Sequence, residues 1–417
     1  MNPLRRNPKE LNMFLIASLI NTTGGSLMWP LVSMYVFDEL GRSLADAGLA
    51  ILAQSLGGII GQLLGGALYH RVGVKRLVTG SLALNASILL LLPLLSGNWR
   101  LFIGAMWLIG LFNSMSLPAI QSYIGFRFTE RRAEIFNIIY VANNIGVALG
   151  TALSGFLADF SYHLSFIANG ATSAFFAVFF LFYLKSTVVS HGAATSGSVH
   201  GGRAESPGAW ALLGNVRLYL LLASGALLLH IGNSIWNTGV SPFIVGAGMA
   251  KRYYGFLWTL NGVLIFAAQP LLGLIKRYLT RTVSAQMTAS SLFYAAGYAC
   301  ILLIQSYPGM VLGMVLATLG EMLISPAVPA YLSEHGGAHA PFYIGLAGGI
   351  GSGGRVIGPY VMGSLYDAGG LPPVAWLALG AALLSAGAYW AHSAWNRQAA
   401  VKRVLPGGAA GEPHVSA

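Results

Sequence analysis

Charge is scarce in this sequence. Only 8% of its 417 residues are charged, against about 25% in ordinary soluble domains, too few to cover a water-soluble chain of this size. Cysteine is scarcer still: Cys300 stands alone, which excludes a disulfide framework and a cysteine-based metal centre. Its place in an apolar run reads as an inert thiol. The sequence offers no nucleophile–base constellation, no metal-ligand cluster and no phosphate-binding loop, so no enzyme and no cofactor is expected. Acidic residues number 12 against 23 Lys and Arg, an excess whose placement decides its meaning.

What remains is apolar. Hydrophobic residues make up 55% of the chain, and 54 glycines accompany them. In lipid such glycines let helices approach closely. A bilayer span needs about 20 predominantly apolar residues, and twelve such stretches follow one another. The first six are Leu11–Phe37, Leu44–Tyr69, Leu77–Leu95, Leu101–Phe126, Ile135–Leu157 and Leu164–Leu184. The second six are Leu218–Gly246, Tyr254–Ile275, Val283–Ile304, Gly309–Leu332, Phe342–Leu365 and Val374–Trp390. Helices are the natural choice, because backbone groups in lipid need partners within their own segment. Arg5, Arg6 and Lys9 precede the first stretch as in a secretory signal. That stretch is longer than a signal core of about 7–15 residues and is expected to be a retained first helix.

Lys and Arg sort unevenly onto the two sides that alternate spans define. Eighteen fall on one side and four (Arg42, Arg100, Lys251, Arg252) on the other, with Arg355 inside a span. Cationic loops stay in the cytoplasm, so a multi-pass cell-membrane protein with both termini cytoplasmic is expected, in keeping with a bacterial inner membrane. The positive charge is a topology signal and calls for no nucleic acid. Residues 186–214, rich in Gly, Ser and Ala, read as a flexible linker; His191 and His200 within it lack companions for a metal. The expected units are residues 1–185, this linker, residues 215–395, and a disordered cytoplasmic tail over 396–417.

The chain repeats itself at an offset of 208 residues. Pro118 and Tyr123 fall on Pro326 and Tyr331, and Gly146, Gly150, Gly155 and Asp159 fall on Gly354, Gly358, Gly363 and Asp367. Two like six-helix halves place a substrate path between them, opened alternately by rocking.

Two motifs carry a family resemblance. After the second span stand Gly66, His70, Arg71, Gly73, Lys75 and Arg76. This resembles the loop of the major facilitator superfamily, with His70 in place of an acidic residue and Val74 in place of a basic one. In the eleventh span Gly345, Gly354, Gly358, Pro359 and Gly363 resemble the fifth-span motif of the family's antiporters; span five itself keeps Gly146, Gly150 and Gly155. The resemblance spans Leu11 to Trp390. It implies an all-α membrane protein of twelve transmembrane helices, a gating role for the loop, and a glycine face on which the halves slide. Ordinary helix packing is the other reading of that face. His70 could serve as a pH-sensitive latch, since imidazole titrates near about pH 6.5.

An ionisable residue within a span is a functional hypothesis by default. Glu321 is the acid central to a span, and Arg355 the base. At about 1.5 Å per residue their depths match to about 3 Å, so neighbouring helices would let them pair. Either Glu321 exchanges a proton that Arg355 helps hold or release, or the two form a fixed structural pair. Their counterparts in the first half are Asn113 and Val147.

In the family, spans one, four, seven and ten line the cavity, which points to Asn21, Asn113, Gln121, His230, Asn233, Trp236, Asn237 and Glu321. Such a lining suits lipophilic or weakly cationic molecules. The expected function is secondary active transport in a lipid bilayer: proton-coupled export of small lipophilic molecules or drugs by a monomer. Nutrient uptake and lipid flipping by the same fold are alternatives. A receptor or scaffold is disfavoured, because the longest segment between spans is about 30 residues.

Overall fold

The computed structural model describes residues 9–28, 31–42, 44–183, 209–249 and 252–404, and among them there are helices and turns but no strand. The first half contributes α1 (Lys9–Met28), α2 (Leu44–Val72), α3 (Val74–Leu95), α4 (Trp99–Arg127), α5 (Arg132–Phe160) and α6 (Tyr162–Tyr183). The second contributes α7 (Val216–Asn233), α8 (Arg252–Ala267 and Gln269–Tyr278), α9 (Val283–Leu303), α10 (Tyr307–His335), α11 (Ala340–Gly369) and α12 (Leu371–Val404). Wide turns at Tyr35–Glu39 and Trp236–Val240 extend α1 and α7. These twelve match the expected spans in order and type.

Local sequence explains where the helices begin and bend. The Asn98 side chain accepts from the backbone N–H of Arg100 and Leu101, and Thr282 accepts from Ala285, satisfying donors that a first helical turn leaves open. Gly73, at a φ of 83°, makes the tight turn from α2 to α3, a conformation that costs a side chain but not glycine. α8 bends by 62° at Ala268, because Pro270 in the first turn after the break lacks an N–H and its ring crowds the preceding carbonyl.

Among the described residues nine helices are long and apolar enough to cross a membrane, ten when the two pieces of α8 are joined. α9 and α11 fall short by composition. Ser, Thr, Tyr and Gln interrupt the first; Gly, Ser and Arg355 interrupt the second. Both faces of the shortfall are covered by protein: Ser290, Ser291, Tyr298, Gly349 and Gly351 are buried.

The repeat has a spatial counterpart. A methyl placed on Gly146 would stand 2.9 Å from the Leu19 carbonyl, and one on Gly354 would stand 2.3 Å from the Leu227 carbonyl. One on Gly150 would meet Ser26, and one on Gly358 would meet Ser234. Leu19 and Leu227, like Ser26 and Ser234, are 208 residues apart. The same α1–α5 packing therefore recurs as α7–α11. This corrects one expectation: these four glycines pack helices within each half and do not form a sliding face between halves. Only groups smaller than a methyl let backbones come this close. Gly363 has no neighbour within 4 Å of where its methyl would be, and the surroundings of Gly155 lie outside the described residues.

The halves meet along α2 and α11. There the Gln62 amide donates to Ser352 Oγ at 3.0 Å. Nearer the ends that carry the basic loops, here called the basic face, Nε2 of His70 donates to the Ala338 carbonyl. A second crossing joins α5 to α8, where Asn137 Nδ2 donates to Gln269 Oε1 at 3.3 Å and Lys276 Nζ to Asn137 Oδ1 at 3.5 Å. Each of these links lies toward the basic face.

Two boundary expectations change. The helix α12 runs to Val404, past residue 395, because Gln398 to Arg403 are helix-compatible and no breaker precedes Pro406. A short helix, Ala209–Leu213, occupies the end of the expected linker. Residues 186–208 and 405–417 lie outside the described residues.

Candidate functional site

The polar centre of the second half is built from four of its helices. α10 contributes Thr318 and Glu321, spaced by three so that they share a face. From α8, the Asn261 amide donates to Thr318 Oγ1 at 3.0 Å and to Glu321 Oε2 at 3.2 Å. The Thr318 hydroxyl in turn donates to the Met314 carbonyl at 2.7 Å. Buried polar groups of this kind are stable only when partnered, and Asn261 supplies that partner to the carboxylate.

Tyr140, from α5 of the first half, faces the same carboxylate closely enough to interact with it electrostatically, although its hydroxyl makes no hydrogen bond of good geometry. Glu321 is thus the one carboxylate, among the described residues, at which a polar group of each half converges within a span.

Arg355 lies halfway along α11. Its Nη2 donates to His230 Nε2 of α7 at 2.8 Å. Because a guanidinium can only donate, Nε2 must accept, and the proton sits on Nδ1, which donates to the Ala226 carbonyl at 2.8 Å. His230 is therefore the neutral tautomer in this arrangement. Gly354 makes the approach possible, since a methyl there would stand 2.9 Å from His230 Cβ.

Glu321 and Arg355 share an electrostatic field, but no ion pair joins them among the described residues. The direct pairing expected from equal depth does not form. Depth fixes height along the bilayer, whereas contact also needs the two side chains to face each other; here Asn261 holds one and His230 the other. Arg355 is exposed despite its depth, and Glu321 and His230 are half-buried.

The remaining expected cavity residues divide. Asn113 is exposed, and Asn21 and Asn233 are half-buried. Trp236 is 1% exposed and belongs to the core of the second half, so it does not line the cavity. Six residues after His230, it points about 120° away around the helix. In the loop after α2, Gly66 is buried against Pro341 and Gly345 of α11, while Arg71 and Arg76 are exposed. Sequence reading passed over Tyr140, Asn261, Thr318 and Gln62. Each is a polar residue inside an apolar run, which is a visible signal, but nothing local ties it to Glu321 or to the other half.

Comparison with known proteins agrees with this architecture. The description of the Major Facilitator Superfamily matches residues 14–340. The uncharacterized MFS-type transporter YttB of Bacillus subtilis is 32% identical over 86% of this chain and 89% of its own. The quinolone resistance protein NorA of Staphylococcus aureus is 24% identical over 89% of this chain and 92% of its own. The human organic anion transporter MFSD10 superimposes with a TM-score of 0.70 at 15% identity, covering 92% of this chain and all of its own.

Proposed function

Because the chain belongs to the major facilitator superfamily and is a multi-pass membrane transporter of small molecules, we propose that it exports lipophilic compounds in exchange for protons, by alternating access. The observation that carries this reading is the position of Glu321. A lone carboxylate in mid-span, held by Asn261 of its own half and facing Tyr140 of the other, changes surroundings whenever the halves rock. Such a group binds or releases a proton as its environment alternates. Kinship to a quinolone resistance protein supports export of drugs over uptake of nutrients or flipping of lipids.

In this reading the basic face is cytoplasmic, in line with the sidedness of Lys and Arg, and the protein acts as a monomer in the cell membrane. The units 1–185 and 215–395 rock about the seam of α2 with α11 and α5 with α8. The seam is engaged at the basic face, so the conformation described is the one closed to the cytoplasm.

The test is uptake of a lipophilic dye into inside-out vesicles under an imposed proton gradient, for the unaltered protein and Glu321→Gln. Gradient-driven uptake that the substitution abolishes, in a protein that still folds, is the expected result. Equal uptake by both would sink proton coupling through Glu321. Accumulation in right-side-out vesicles instead would reverse the direction.

A further inference from the structure

An arginine in mid-membrane with a neutral partner needs explaining. Arg355 stays charged at any physiological pH and carries five N–H donors. One of them goes to His230 Nε2. His230 contributes no negative charge, since its other nitrogen must hold the proton given to Ala226. Glu321, the acid deepest in a span, is turned to Asn261 and makes no ion pair with Arg355. An unpaired charge away from bulk water is costly, and a structural arginine would be neutralised by a carboxylate in contact. Arg355 is instead exposed and Glu321 half-buried, the two close enough for each to feel the other's charge.

The geometry points to a two-point substrate site, in which Arg355 binds an acid group of the transported molecule and Glu321 binds its basic nitrogen. The inference rests on the export reading above and names its substrate class: lipophilic zwitterions. His230 is a positioning residue, holding the guanidinium by one N–H and leaving the others for a carboxylate. Charge balance favours both ends together. A cation arriving at Glu321 displaces the proton, as exchange requires, and the acid group then neutralises Arg355. A molecule with the acid alone would meet Arg355 but would leave the proton on Glu321 and drive no exchange. The apolar part of the molecule takes the remainder of the cavity.

Four probes with one side chain separate the two points: 2-naphthylalanine, its amide, its N-acetyl derivative and its N-acetyl amide. Their binding to the full-length protein in lipid nanodiscs is measured by calorimetry, which needs no proton gradient. We expect the free amino acid to bind the unaltered protein about tenfold or more tighter than its amide, the gain typical of one charge-assisted hydrogen-bonded pair. Arg355→Gln should erase that difference and leave the uncharged N-acetyl amide unchanged. Arg355→Lys should retain part of it.

Equal binding of the amino acid and its amide by the unaltered protein would overturn the proposal without any variant. So would no binding by any of the four, or an Arg355→Gln protein that weakens all four alike. Failure of the dye assay with these binding differences intact would instead count against proton-coupled export and leave the anion subsite in place.

Discussion

Gly66 of α2 and Gly345 of α11 touch backbone to backbone across the two halves. A methyl placed on Gly345 would stand 3.0 Å from the Gly66 Cα and 2.4 Å from the Gln62 carbonyl. The two residues belong to separate sequence motifs, one in each half, and the fold makes them a single contact near the basic face. Gln62 and Ser352 extend it toward mid-membrane and His70 and Ala338 toward the surface.

Gly345→Leu should therefore act on the equilibrium between conformations and leave each half folded. Overpacking costs about 1–3 kcal/mol, here against the closed seam alone, which corresponds to about a 5- to 150-fold change in population. A cysteine introduced at Asn113, in a background where Cys300 is serine, should react faster with an impermeant maleimide added to the basic face. An unchanged rate would show that the seam opens and closes without that contact.

Gly150→Leu and Gly358→Leu should behave differently, since their neighbours lie in their own halves. Each should lower thermal stability, by about 1–3 kcal/mol, and by similar amounts, because Ser26 and Ser234 crowd them in equivalent ways. Labelling at the Asn113→Cys position should not shift. Melting curves of purified protein decide it: a variant that melts with the unaltered protein would mean the close approach is not a packing requirement.

His70 latches the seam by donating to a carbonyl that can only accept. His70→Gln keeps a donor of similar reach and should transport nearly as well as the unaltered protein. His70→Asp, the residue type that the family's loop carries, offers no donor when ionised and leaves the Ala338 carbonyl without this partner. Losing one such bond costs about 0.5–1.5 kcal/mol, so the closed state and the transport rate should fall several-fold. If His70→Asp matches or exceeds the unaltered protein, the imidazole is not the latch.

Much of this architecture was legible in the residue pattern, for reasons that differ from element to element. The spans could be read because lipid imposes length and apolarity on every crossing helix, and the repeat because Gly and Pro leave a spaced record. The bend of α8 was signalled by Pro270, although a uniform apolar run through Tyr254–Ile275 concealed it. Which helix a glycine faces is another matter. Gly146, Gly150, Gly354 and Gly358 are spaced as any close-packing surface is, and spacing does not say whether the neighbour belongs to the same half. The pairing of Glu321 with Asn261 and of Arg355 with His230 was equally hidden, because rotation about a helix axis decides it and depth alone does not.

The 208-residue correspondence holds for the glycine contacts and fails for the charges: where α10 and α11 carry Glu321 and Arg355, α4 and α5 carry Asn113 and Val147. The molecule is built like a hinge with two matching leaves, only one of which is wired. In the proposed cycle the rocking motion is shared between the halves, while the step that takes up and gives off a proton falls to the second alone.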